Sequence, residues 1–155
     1  MNKNNIMPWA LVTINASALF YLSSQPIEKS RETSSKVTEI VMETIEEIAP
    51  NYYNELDYRD VHRGVRKSAH FTLYLMLGYL VSHAMKKEKK EKLIYSLLMC
   101  STIALMDESY QYFIPGRGAE ITDVFIDTLG SATGIGLNTI IDEEKPLIKR
   151  IVKTS

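Results

Sequence analysis

Cysteine is nearly missing from this sequence of 155 residues, where Cys100 stands alone. A lone cysteine excludes an intrachain disulfide and any metal site built from several thiolates. Glycine and proline are scarce, at 7 and 5 residues, which excludes collagen-like and Pro/Gly-rich disordered chains. Neither charge dominates, because 18 Lys and Arg face 19 Asp and Glu. A net charge of -1 removes the strongly basic nucleic-acid-binding class, so nucleic acid is not an expected partner. Sustained β alternation, internal repeats and low-complexity tracts are also missing. The length suits one domain, 1–155, with little room for a second.

What is present is unevenly distributed. Hydrophobic residues make up 45% and charged residues 24%, and they occupy different segments. Four apolar stretches lie near 6–23, 65–85, 93–114 and 119–141. Each is about the ~17–25 residues that a helix needs to cross a bilayer. The first holds Trp9, Leu11, Val12, Ile14, Leu19 and Phe20, and it stops at Ser23-Ser24-Gln25-Pro26. Ala16-Ser17-Ala18 resembles a signal-peptide cleavage site. The apolar run continues past it through Leu19-Phe20-Tyr21-Leu22, so an uncleaved anchor is expected. Segment 24–64 is polar. Within it Val37, Ile40, Val41, Ile45 and Ile48 recur at helical spacing. This predicts an amphipathic helix capped by Ser34 or Ser35 and closed by Pro50, covering the bundle or lying on the membrane surface. Residues 51–60 read as a loop, with Tyr52, Tyr53 and Tyr58 suited to a membrane boundary.

The expected fold is therefore all-α: a polytopic bundle of about four transmembrane helices plus one extracytoplasmic amphipathic helix within segment 24–64. Short basic loops stay in the cytoplasm. The connector with Lys86, Lys87, Lys89, Lys90 and Lys92 is such a loop, and Lys3 and the tail residues Lys145, Lys149, Arg150 and Lys153 join it. That places both termini in the cytoplasm of a multi-pass plasma-membrane protein.

The polar residues of the spans then gather at one depth on the outer side. Arg66, Lys67 and His70 open the second span, and Asp107, Glu108 and Gln111 end the third. Arg117 sits in the Pro115-Gly116-Arg117-Gly118 turn. Asp123 and Asp127 lie in the outer half of the fourth span. Arg66, His70 and Tyr74 share a helix face, and Gly130 and Gly134 continue the face of Asp123 and Asp127. Small residues allow close helix approach, so this face should turn into the bundle. Intramembrane charge costs about 2.5–3.5 kcal/mol per group on insertion scales and marks a functional site by default.

The expected proton-transfer or catalytic core is His70, Glu108 and Asp123. Arg66, Lys67, Tyr74, Asp107, Gln111, Arg117 and Asp127 are the expected binding residues. The lysines and arginines suit an anionic head group such as a phosphate. The alternative is an ion-pair network that fixes helix register. One His with carboxylates is compatible with a divalent metal. These ligands have no dedicated motif spacing, however, so neither metal nor cofactor is assigned. His62 and His83 receive no role, and Tyr110, Tyr112 and Phe113 read as lipid-interface aromatics.

At these residues the sequence resembles the VanZ-like family of small bacterial membrane proteins. Arg66-Lys67-Ser68-Ala69-His70-Phe71-Thr72-Leu73-Tyr74 is similar to that family's first motif. Asp107-Glu108-Ser109-Tyr110-Gln111-Tyr112-Phe113-Ile114-Pro115-Gly116-Arg117 is similar to its second. Asp123-Val124, Asp127-Thr128-Leu129-Gly130 and Gly134 are similar to its third. The resemblance runs from about residue 8 to residue 141. Tyr110 departs from it, since many members carry His there, and many carry Asn at the Asp127 position. The resemblance implies a multi-pass helical protein linked to teicoplanin or lipoglycopeptide resistance, and it supplies no reaction. The leading expectation is an outward-facing polar pocket that binds or modifies an anionic lipid or lipid-linked envelope precursor, with membrane lipids as partners. The rivals are a non-enzymatic envelope scaffold and an ion-coupled transporter.

Overall fold

A computed structural model describes residues 3–118 and 120–154, with side chains for 6–118 and 120–144. The side chains of Lys3, Lys145, Lys149, Arg150 and Lys153, which enter the expected cytoplasmic charge, lie outside the described residues. Six helices follow in order: α1 (Lys3–Ser23), α2 (Ile27–Ile48), α3 (Pro50–Tyr53), α4 (Tyr58–Ala84), α5 (Lys89–Gln111) and α6 (Ile121–Thr154). Among the described residues there is no strand, so the protein is all-α.

Several boundaries differ from the sequence expectation. Helix α2 begins at Ile27, behind Pro26, a residue whose fixed φ and missing N–H suit a helix start. Ser34 and Ser35 are therefore interior. The Ser34 hydroxyl donates to Ser30 O at 2.9 Å, a bond made inside a helix. Helix α2 rests on α4. Its covered side carries Thr38, Val41, Met42 and Ile45, while Val37, Ile40 and Ile48 stay exposed. Three of the five residues of the expected apolar stripe thus face outward. The expected loop at 51–60 contains the one-turn α3. Helix α4 starts well before residue 65, because Asp57 caps it by accepting the Arg59 N–H at 2.8 Å.

Helices α1, α4, α5 and α6 form the bundle, and α4 with α6 is its most extensive pair. That pair meets backbone to backbone. A Cβ at Gly78 would collide with the Ser131 backbone, one at Gly130 with Phe71, and one at Gly134 with Leu75 and Tyr79. Val12, Leu19, Leu77, Val81, Cys100, Ala104 and Ile135 fill the interior. Ile14, Leu98, Leu105, Met106, Phe125 and Ile140 are exposed on the outside. An apolar exterior around an interior that also buries Asp107, Asp127, Ser131 and Asn138 suits a lipid surround.

Among the described residues two helices are long and apolar enough to cross a membrane: α1 over Ile6–Ser23 and α6 over Ile121–Glu144. Charges at the two ends of α4 and α5 interrupt their apolar windows: Arg59, Asp60, Arg63, Arg66 and Lys67 in α4, and Lys89 to Lys92 in α5.

Candidate functional site

One end of the bundle collects the ends of four helices. Helix α1 finishes there with Ser23, α5 with Asp107 to Gln111, and α4 and α6 begin there. The turn after α5 closes through Gly116, whose φ of +77° lies in the region that glycine tolerates best. It returns Arg117 over the end of α1.

A polar net, buried at Ser23, Asp107 and Gln111 and part-buried at Arg117, ties these ends together. The Ser23 hydroxyl donates to Asp107 Oδ2 at 2.7 Å, and Gln111 Nε2 donates to the same oxygen at 3.1 Å. Arg117 NH1 donates to Gln111 Oε1 at 3.1 Å and to Ser23 O at 3.0 Å. Burial holds the Arg117 guanidinium below its ordinary pKa, and neighbouring Arg66 pushes the same way. Asp127 of α6 is fully buried beside His70 of α4, with Nδ1 to Oδ1 at 3.7 Å. Lys67 reaches Asp123 at 3.0 Å and Glu120 at 3.7 Å.

Above His70 and Asp127 opens a cavity of about 1120 Å³. Pockets for small ligands commonly hold on the order of 300–1,000 Å³, so this one admits a sizeable head group. Its walls carry Arg31 of α2, Arg59, Arg63, Arg66 and Lys67 of α4, and Arg117. Asp57, Asp60, Glu120 and Asp123 also line it. Arg59 pairs with Asp57, Arg63 with Asp60, and Lys67 with Asp123. Hydrogen bonding to Asp60 raises the Arg63 pKa. Among the described residues Arg31, Arg66 and Arg117 make no ion pair with a carboxylate. Unpaired guanidinium groups around one cavity favour an anion there.

The residues singled out from sequence are distributed as follows. Arg66, Lys67, His70, Arg117, Asp123 and Asp127 all line the cavity. Asp107 and Gln111 are buried beneath it in the net with Ser23. Tyr74 is fully buried deeper in the core. Glu108 is buried but accepts the Glu120 N–H, so it braces the entry to α6 rather than lining the cavity. Sequence reasoning passed over Ser23, Arg31, Tyr58 and His62. The last three reach the cavity because α2 and the start of α4 fold over it. His62 Nε2 lies 3.4 Å from Arg31 O and so links those two helices. The sequence signals for Ser23 were its place in the stop after the first apolar run and the resemblance of Ser23-Ser24-Gln25-Pro26 to the VanZ-like family.

A family model described as VanZ/LLP1 matches residues 9–142. No curated protein and no solved structure matches the chain. The match covers all four helices of the bundle and every residue of the buried net.

Proposed function

The chain belongs to the VanZ/LLP1 family, and from that premise we propose that it is a membrane protein whose cavity binds an anionic lipid or lipid-linked envelope precursor. The two candidate spans and the family support the membrane assignment. The finer reading has four spans, α1, α4, α5 and α6, with both termini in the cytoplasm and the cavity at the outer leaflet. The exposed apolar residues of α5, Leu98, Leu105 and Met106, favour that count. So does the lysine-rich connector at the opposite end.

The carrying observation is the set of carboxylate-free arginines, Arg31, Arg66 and Arg117, around one cavity. A phosphate or pyrophosphate accepts forked hydrogen bonds from guanidinium groups, and it would relieve the repulsion between Arg66 and Arg117. His70 and Asp127 lie at the cavity floor, where they would face the bound head group. A role in teicoplanin or lipoglycopeptide resistance follows as the phenotype of sequestering or altering such a precursor.

The test is native mass spectrometry of purified protein, with phosphatidylglycerol titrated against wild type, Arg66→Ala and Arg31→Ala. Loss of one charge-assisted contact is worth about 1.5–3 kcal/mol, a ~10- to 100-fold weaker association. Identical lipid occupancy in all three proteins would remove the arginine cluster as the recognition element. A scaffold reading draws on the same end of the molecule, since the Ser23–Asp107–Gln111–Arg117 net by itself locks α1, α5 and the turn together. Under that reading the variants change membrane abundance and leave lipid occupancy alone.

A further inference from the structure

We infer that His70, Asp107 and Asp127 form a binding site for one divalent transition-metal cation of the Zn2+ or Mn2+ kind. The three side chains come from α4, α5 and α6, and one ligand atom of each lies within 4.8 Å of the others. Sequence spacing carried no hint of this, because no two of them share a helix.

Acidic clusters are common without metals, so the burial and the missing partners carry the inference. Asp107 and Asp127 are both fully buried. Asp107 Oδ1, both oxygens of Asp127 and His70 Nδ1 have no hydrogen-bond partner. The hydroxyl of Tyr74 is also unpartnered, in a fully buried residue within electrostatic reach of both carboxylates. Leaving one buried polar group unpaired costs about 1–3 kcal/mol, and more when it is charged. One atom from each of His70, Asp107 and Asp127 clusters within 4.8 Å of the others, a donor set that a cation would satisfy at once.

Charge leads to the same site. Among the described residues no Lys or Arg pairs with Asp107 or Asp127. Lys67 is spent on Asp123 and Glu120, and Arg117 NH1 on Gln111 and Ser23. One dication would neutralise both carboxylates. The 3.7 Å between His70 Nδ1 and Asp127 Oδ1 is too long for a hydrogen bond. It suits two ligands of one metal, whose bonds of about 2.0–2.2 Å place the ligand atoms roughly 3–4 Å apart.

Supporting bonds are also in place. Ser23 and Gln111 hold Asp107 Oδ2 and leave Oδ1 pointing free, the kind of outer-shell orientation that metal sites use. Imidazole among the ligands selects a transition metal over Mg2+ or Ca2+. His70 and Asp127 line the cavity, which provides the entry path. The site stands whether or not a lipid occupies that cavity.

The test uses the full chain in detergent, stripped with chelator and titrated with Co2+ and Zn2+ alone. Wild type should take up one equivalent of Co2+ with a ligand-field spectrum, and Zn2+ should displace it while Mg2+ does not. His70→Gln and Asp127→Asn should each weaken binding by more than about 100-fold, and Ser23→Ala by ~10- to 100-fold. Glu143→Gln, at the far end of the bundle, should change nothing. A wild type that retains no Co2+, or variants that bind as wild type does, would overturn the site. Should a variant fail to fold, the imidazole 15N resonances of wild type with and without Zn2+ decide instead, and an unshifted His70 sinks the proposal. No lipid enters these assays, so their failure is separate from failure of the anion-binding reading.

Discussion

The two ends of the helical bundle handle polar groups in opposite ways. At the end bearing the Lys86–Lys92 connector, the buried polar groups are neutral, and an amide nitrogen, Asn138 Nδ2, is the kind of group left without a partner there. The Ser82 hydroxyl donates to Asn138 Oδ1 at 3.0 Å, and both residues are fully buried. Charges there sit further out, and three lysines are paired: Lys92 with Asp142 at 2.7 Å, Lys87 with Glu91 and Lys89 with Glu143. At the cavity end, carboxylates are buried with oxygens unpartnered, and arginines line a wide opening without carboxylate partners. A fold that needed polar groups only for helix register could have used the first arrangement twice. The second is retained where something is bound, since unpaired buried charge is costly unless a ligand completes it.

The sharpest way to break this contrast is to copy the cavity end onto the far end. Asn138→Asp would place a carboxylate in the interior with Ser82 as its neighbour. Lys92 is already paired with Asp142, one turn further along α6. We expect a loss of about 3–5 kcal/mol, the usual cost of an uncompensated buried charge, read by denaturant unfolding in detergent. A variant as stable as wild type would mean that the bundle tolerates buried acids anywhere, and Asp107 and Asp127 would lose their significance.

A smaller effect compares two matched serines. Ser23→Ala removes a hydrogen bond to a carboxylate and should cost about 1.5–3 kcal/mol. Ser82→Ala removes one to a neutral amide and should cost about 0.5–1.5 kcal/mol. Thermal unfolding of the two variants side by side checks the order. If Ser82→Ala is the more damaging, the far end is the structural keystone and the ranking of the two ends reverses.

Part of this was legible in sequence and part was not. Residue type and periodicity placed Asp127, Gly130 and Gly134 on one helix face, and that face packs on α4 as the glycine spacing implies. Hydropathy located all four bundle helices, although only α1 and α6 are apolar enough over their lengths to qualify as spans unaided. What escaped was long-range. Ser23 meets Asp107 across 84 positions of sequence, and nothing local to either residue encodes the meeting. Arg31 belongs to no motif, and it reaches the cavity because α2 folds over it. The α2 stripe was misread in part because periodicity fixes a face but not which neighbour covers it. Glu108 is grouped by residue type and spacing with His70 and Asp123 as an expected proton-transfer core. Its bond to the Glu120 N–H depends on a turn whose path only the fold defines.

The smallest expected effect lies just outside the bundle, where Asp57 caps α4 and thereby aims Arg59, Arg63 and Arg66 at the cavity. Its carboxyl is held below the ordinary value of 3.8, chiefly by the Arg59 N–H that it accepts, with a lesser contribution from the Arg59 and Arg63 charges. A carboxyl with a lowered folded-state pKa stabilises the fold above its unfolded value and loses that contribution as pH falls through the folded value. Asp57→Ala should therefore lower the melting temperature slightly at neutral pH, and the deficit should close below about pH 4. Asp57→Asn keeps a capping oxygen without the charge, so it should recover most of the neutral-pH loss with little dependence on pH. A deficit in Asp57→Ala that persists unchanged into acid would mean that the cap works through shape alone. The cavity end would then owe its stability at this position to geometry, as the far end does, and the contrast between the two ends would be confined to the buried groups.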